Sequence, residues 1–209
     1  MKSRMILAGA TLGTLISTSV FAEDTGISTS SDAPRMRVQA QVEMLPVGSG
    51  KASVSGTSMT TDAATAYGIT GMFDYAINPY LSIGVAPRLV FNVTTDNADA
   101  NDSADKELDL RARLVGHYPI ARGVELYGAL SPGYTIILSS TDGVNNATGF
   151  ALGGAAGVTY DLSPKAFIGA ELGYQRAFTS TDLMLGTQSV SADLDLSYMH
   201  VGIGAGTRF

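Results

Sequence analysis

The chain ends Val201-Gly202-Ile203-Gly204-Ala205-Gly206-Thr207-Arg208-Phe209. Counting back from the terminal ring, Phe209, Thr207, Ala205, Ile203 and Val201 share one face, while Arg208 and three glycines occupy the other. That period of two is the pattern of a strand with one apolar side. Chain termini usually fray, so a bare phenylalanine closing a strand suits a strand whose outer face meets lipid and whose last ring sits at the membrane interface.

The rest of the chain repeats this pattern. A first strand sets Met36, Val38, Ala40, Val42 and Met44 against Arg37, Gln39, Gln41 and Glu43. The second sets Tyr67, Ile69, Gly71, Phe73 and Tyr75 against Gly68, Thr70, Met72 and Asp74. In the third, Leu81 to Val93 oppose Ser82, Gly84, Arg88 and Asn92. Further strands follow over 108–118, 124–138, 149–161, 168–178 and 194–209. Connections alternate: tight at Ile77–Tyr80, Pro119–Gly123 and Ser163–Lys165, long over 48–62, 96–106, 139–146 and 179–191. Mean hydropathy is positive, yet no apolar run approaches the roughly 20 residues of a membrane helix. Alternating strands in lipid account for both facts.

The expected fold is all-β: an eight-stranded antiparallel up-and-down transmembrane β-barrel over 35–209. Hairpin extensions hidden in loops 48–62 or 179–191 would raise the count to ten. Short turns belong on the periplasmic side and long loops outside. Outward aromatics fall at strand ends: Tyr75, Tyr118, Tyr160 and Phe209 toward the short turns, Tyr67, Phe91, Phe150, Phe178 and Tyr198 toward the loops. Parity breaks in the last strand, where Leu194, Leu196 and Tyr198 are even and Val201 to Phe209 odd. A β-bulge near Met199-His200 would keep both halves facing lipid.

Met1–Ala22 has the build of a secretory signal peptide: Lys2 and Arg4, an apolar stretch over Met5–Ile16, and the Val20-Phe21-Ala22 cleavage site. Glu23–Pro34, polar and rich in Ser and Thr, forms a disordered periplasmic lead-in. The formal net charge of −6 argues against nucleic acid as a partner, since phosphate binding needs a basic face. The acidic stretch Asp96, Asp99, Asp102, Asp105 and Glu107 lacks the spacing of a calcium loop and is a solvated loop.

The terminal phenylalanine strand and the segment Phe167-Ile168-Gly169-Ala170-Glu171-Leu172-Gly173-Tyr174 resemble the small bacterial outer-membrane β-barrels, of the outer-membrane-protein-A-like and X-like kinds. The resemblance implies residence in the cell outer membrane, contact with its lipids and lipopolysaccharide, and Phe209 as the C-terminal signal read by the barrel-assembly machinery. It also implies a monomer. It does not extend to the enzymatic barrels: outer-membrane lipid A deacylases place a Ser two residues after their His, whereas His117 precedes Tyr118-Pro119 and His200 precedes Val201-Gly202. No catalytic, cofactor or metal site is expected. The function expected is that of a non-enzymatic barrel with a structural, adhesive or surface-interaction role; the alternative is a narrow channel for ions or small solutes.

One cluster stands out inside. Pairing outward from turns and loops puts Arg88 level with Gly68 and Glu43, and Arg111 and Arg113 near Gly157 and Glu171. An eight-stranded barrel is just wide enough for side chains to fill. Glu43, Arg88, Arg111, Arg113 and Glu171 should therefore meet as a polar cluster in the lumen.

Overall fold

A computed structural model describes residues 35–54, 56–94, 104–140, 145–185 and 188–209. The signal peptide, the lead-in and Asp96, Asp99 and Asp102 lie outside the described residues. The elements are β1 (Met36–Val54), β2 (Thr57–Ala63), β3 (Ala66–Asn78), β4 (Leu81–Val93), β5 (Asp105–Ala121), β6 (Val124–Leu138), β7 (Ala147–Asp161), β8 (Ala166–Leu185) and β9 (Gln188–Arg208). All neighbours pair antiparallel in the order β2-β1-β3-β4-β5-β6-β7-β8-β9, and β1 also pairs β9, closing the sheet on itself. Closure satisfies the backbone groups that an open edge would leave unpaired, which is the condition for crossing lipid with strands.

Nine strands form an eight-stranded ring because β2 and β3 follow one another along the same side of β1. Leu45 pairs Ala66 of β3, and Gly48 already pairs Ala63 of β2. The ladder is broken at Ala64-Thr65, where the Ala64 N–H turns aside to the Thr94 carbonyl at 2.9 Å. The stretches 48–62 and 179–191, read from the sequence as loops, are thus largely ladder. β1 pairs β2 up to Val54↔Thr57, and β8 pairs β9 up to Leu185↔Gln188. Their Ser, Thr and Gly content gave no alternation to follow. Strands β2, β1, β9 and β8 continue as one four-stranded sheet at the long-hairpin end.

The bulge lies in β1. Met44 pairs Val201 and Val47 pairs Met199, so Leu45 and Pro46 together oppose His200. Pro46 has no N–H to give to the ladder, which makes it the natural place for the extra residue. The parity of β1 changes there: Leu45 is fully buried and Val47 is exposed. The parity of β9 does not change, and Tyr198, His200 and Arg208 are all buried. The expected bulge at Met199-His200 is therefore corrected, and Tyr198 leaves the outer girdle. Its ring packs inside with Leu45, Ala66 and Val90, joined by Val93 and Leu196. Gly48 faces it across the ladder, where a Cβ would come within 2.5 Å of the ring.

Elsewhere the two faces separate as period-2 patterning requires. Leu110, Ile203, Tyr118 and Phe209 are more than 60% exposed on the outside, while Gln41, Thr70, Arg88, Asp109 and Gln175 are at most 1% exposed inside. This reverses a soluble protein's arrangement and suits a ring whose solvent is hydrocarbon. The seam is closed at its end by Met36 and Phe209, which exchange backbone hydrogen bonds of 3.1 and 2.9 Å.

Candidate functional site: charged side chains across the lumen

Arg88 of β4 lies at the centre. Its Nε donates to Glu43 Oε2 at 2.8 Å, and its Nη1 donates to Asp109 Oδ2 at 3.3 Å and to Gln175 Oε1. Glu107 Oε1 lies 3.8 Å from the same Nη1. Gln175 of β8 answers from the opposite wall, its amide donating to Asp109 at 2.9 Å and Glu107 at 3.2 Å. Arg111 joins through Gln175 Oε1 at 3.0 Å. Thr70 donates to Glu43 and Thr135 to Asp109, so both carboxylates have hydroxyl donors as well as arginine.

One step toward the short turns, Glu171 organises a second group. It accepts from the Tyr127 hydroxyl at 2.9 Å, lies 3.2 Å from His200 Nε2, and stands 3.8 Å from Arg113 Nη1. Arg113 also pairs Asp74, Nε to Oδ1 at 3.4 Å. Gln41 links the two groups, its amide within 3.3 Å of Glu43 and 3.4 Å of Glu171. The inner face opposite these long side chains is kept bare: a Cβ on Gly173 would sit 2.3 Å from the His200 ring.

The structure thus brings Glu43 to Arg88 and Glu171 to Arg113, with Arg111 tied to the first group through Gln175. Reading the sequence for levels missed Asp74, Glu107, Asp109, Gln175 and His200. Parity alone places four of them inward: Glu107 and Asp109 are in step with Arg111 and Arg113 on β5, Asp74 with Thr70 on β3, and Gln175 with Glu171 on β8; what it does not give is their level. Glu107 reads from the sequence as part of the acidic loop, but β5 begins at Asp105 and Glu107 is fully buried.

At the short-turn mouth, Arg37 grips Glu125 through both carboxylate oxygens. His117 places Nδ1 3.0 Å from Glu125 Oε1 and Nε2 2.9 Å from Ser82 Oγ. This Ser-His-Glu chain has the connectivity of a hydrolytic triad. Its surroundings do not suit acyl transfer. Ser82 is 1% exposed, and its backbone is held by β3 on one side and β5 on the other, through Ala76 and Val115. A strand paired on both sides has its backbone N–H groups committed to the ladders, whereas an oxyanion hole needs donors aimed at the reacting oxygen. Here the three side chains tie β4, β5 and β6 together.

Coupling is measurable in the second group. Residues sharing a hydrogen-bond network show interaction energies of about 0.5 kcal/mol or more. Glu171→Ala and Arg113→Ala, separately and together, should therefore be non-additive by at least that amount in urea unfolding of the barrel in lipid vesicles. Additive losses would mean that the 3.8 Å pair contributes nothing as a pair.

A closed antiparallel ring, apolar outside and charged inside, defines a membrane β-barrel. The chain belongs to the outer membrane protein beta-barrel domain family, whose profile matches residues 8–209. No curated protein matches the chain. Among solved structures it is similar to the outer membrane protein OprG from Pseudomonas aeruginosa, with a TM-score of 0.60 and 16% identity over 85% of this chain and 96% of that one. It is also similar to Neisserial surface protein A, with a TM-score of 0.56 and 18% identity over 83% of this chain and 97% of that one. At such identities the likeness is one of fold.

Proposed function

We propose that this protein is a non-enzymatic, non-conducting barrel of the cell outer membrane that presents a surface-interaction sheet to the exterior. The observation that carries this reading is the continuation of β2, β1, β9 and β8 beyond the ring as one ladder. A connection needed only to turn the chain would be short, whereas β8 and β9 run 20 and 21 residues. A ladder held on a closed ring is a rigid platform, and among the described residues β2 has no strand partner on its outer side. Below it, the Arg88 and Glu171 groups fill the cross-section, which supports a plug rather than a pore.

In this reading residues 1–22 direct export and are removed, and the barrel-assembly machinery reads Phe209. The mature protein is a monomer whose outer face contacts lipid and lipopolysaccharide. The short turns face the periplasm. A cysteine at Gly56 should react with a membrane-impermeant maleimide on intact cells, whereas one at Asn78 or Ser163 should react only after the outer membrane is opened. Trimming residues 50–61 to a two-residue turn should leave a heat-modifiable barrel while abolishing any attachment the full-length protein confers on cells. Unchanged attachment would remove the platform role, and large steady single-channel currents from the unaltered protein would favour the channel instead.

A further inference from the structure

The exposed charges are sorted between the two ends of the barrel. At the long-hairpin end both signs occur, with Lys51, Lys106 and Arg176 exposed alongside Asp62, Asp182 and Asp193. At the short-turn end the exposed charges among the described residues are all positive: Arg35 before β1, Arg122 between β5 and β6, and Lys165 between β7 and β8. The acids near these turns are already held by arginines that point into the lumen, Glu125 by Arg37, Asp161 by Arg208 and Asp74 by Arg113. The three cations of the rim are left without an ion pair among the described residues.

Backbone bonds hold the three at one level. The Arg35 carbonyl accepts from the Ala76 N–H at 2.7 Å, the Gly123 carbonyl beside Arg122 accepts from Asp161 at 2.8 Å, and the Lys165 carbonyl accepts from Arg208 at 2.7 Å. The same rim carries apolar side chains that a watery setting does not explain. Ile77, Ile120 and Leu162, one at each short turn, are more than half exposed, and Tyr80, Tyr118 and Phe209 beside them are more than 60% exposed. Ile120 is followed by Arg122 and Leu162 by Lys165, the pairing of apolar and basic residues found in segments that lie at the boundary of headgroups and acyl chains. A soluble acidic partner would meet the cations but leave the isoleucines and the leucine in water. A membrane surface accounts for both, since the rings suit headgroup level and the long Arg and Lys stems lie along apolar surface while their charges reach outward.

We propose that the short-turn rim binds anionic phospholipids of the periplasmic leaflet, with Arg35, Arg122 and Lys165 meeting the lipid phosphates and Ile77, Ile120 and Leu162 resting among the acyl chains. The placement in that leaflet rests on the orientation given above; the preference for an anionic headgroup does not. The rim thereby seats the barrel in the membrane by its inner end, independently of what the hairpins do outside.

The test uses the chain from Glu23, so that the acids Glu23, Asp24 and Asp32 are present, folded into phosphatidylcholine vesicles with traces of spin-labelled phosphatidylglycerol or phosphatidylcholine. The fraction of each label slowed by the protein gives their relative association. Phosphatidylglycerol should be held about threefold or more over phosphatidylcholine, as expected for cations at an anionic lipid surface. The preference should fade in about 1 M salt, where screening acts within roughly 3 Å. Replacing Arg35, Arg122 and Lys165 together by Gln should bring the ratio to one, while Lys51→Gln with Lys106→Gln, at the other end, should leave it unchanged. Unboiled gel mobility checks that each variant is folded. Equal association of the two lipids with the unaltered protein, or a preference that survives the triple substitution, overturns the site. Loss of the preference in the Lys51 and Lys106 variant overturns its assignment to the rim. Labelling of an Asn78 cysteine on intact cells would reverse the barrel without altering these ratios, so the orientation and the lipid site can fail independently.

Discussion

Arg88→Ala should lower the unfolding free energy of the folded barrel by about 3–5 kcal/mol, the cost of removing one partner from a buried ion pair. Arg88 is 1% exposed and serves Glu43, Glu107 and Asp109 at once. Its removal leaves three carboxylates crowded in a lumen without their common cation. Arg88→Lys should recover little, because an ammonium cannot present the two directions by which Nε reaches Glu43 and Nη1 reaches Asp109. The chain has no tryptophan, so unfolding in urea is best followed by the mobility difference between boiled and unboiled samples. Replacing Glu43, Arg88, Glu107 and Asp109 together by apolar residues of similar volume should cost much less than Arg88→Ala alone, since no buried charge is then stranded. A loss below about 1 kcal/mol for Arg88→Ala would mean that water enters the lumen freely enough to solvate the acids, as at an exposed pair.

The outer face should show a second large effect, graded by depth. Ile203 points outward and is 63% exposed, partway along β9. Ile203→Arg should cost about 2–4 kcal/mol in a bilayer, while Thr207→Arg, on the same face but near the end of the strand, should cost about 0–1 kcal/mol. The same urea titration in lipid vesicles measures both. Equal costs at the two positions would indicate that the apolar band does not lie where the aromatic ends of the strands place it.

Most of the ring was legible because lipid imposes a strict rule: outside must be apolar, and strands alternate. Strands β3 to β7 start or end within a few residues of where alternation and turn chemistry place them. The rule weakens above the membrane, where either face of a strand can be wet. There Thr57–Ala63 and Thr181–Leu185 read as loop because nothing alternates. The misreading of Tyr198 has the same origin. Bulk was equated with an outward direction, which holds at bilayer depth but not where Leu45, Val90 and Leu196 make the inside apolar. Proline at 46 is the sequence signal for the bulge, whereas the parity change at Met199 reflects an apolar interior at that level. Inside the barrel, parity identifies which charges face inward, but pairing also depends on stagger between strands. That is why Gln175, uncharged and on β8, could not be seen as the link between Arg88 and Arg111.

The seam joins the first strand to the last: β1 pairs β9 from Arg37↔Arg208 to Val54↔Ala192. Every other ladder joins segments close in the chain, either as a local hairpin or, for β1 and β3, across the intervening β2, at small loop-closure cost. This one spans nearly the whole described chain, so it forms only after the final residues have arrived. Until then the growing sheet carries two bare edges, each able to pair with a foreign strand. The arginine and glutamate groups also remain incomplete, since Glu43 lies on β1 and His200 on β9. Closing this seam is therefore also the step that removes the edges of the ring and completes its interior, leaving the short β2 as the one strand edge still bare among the described residues.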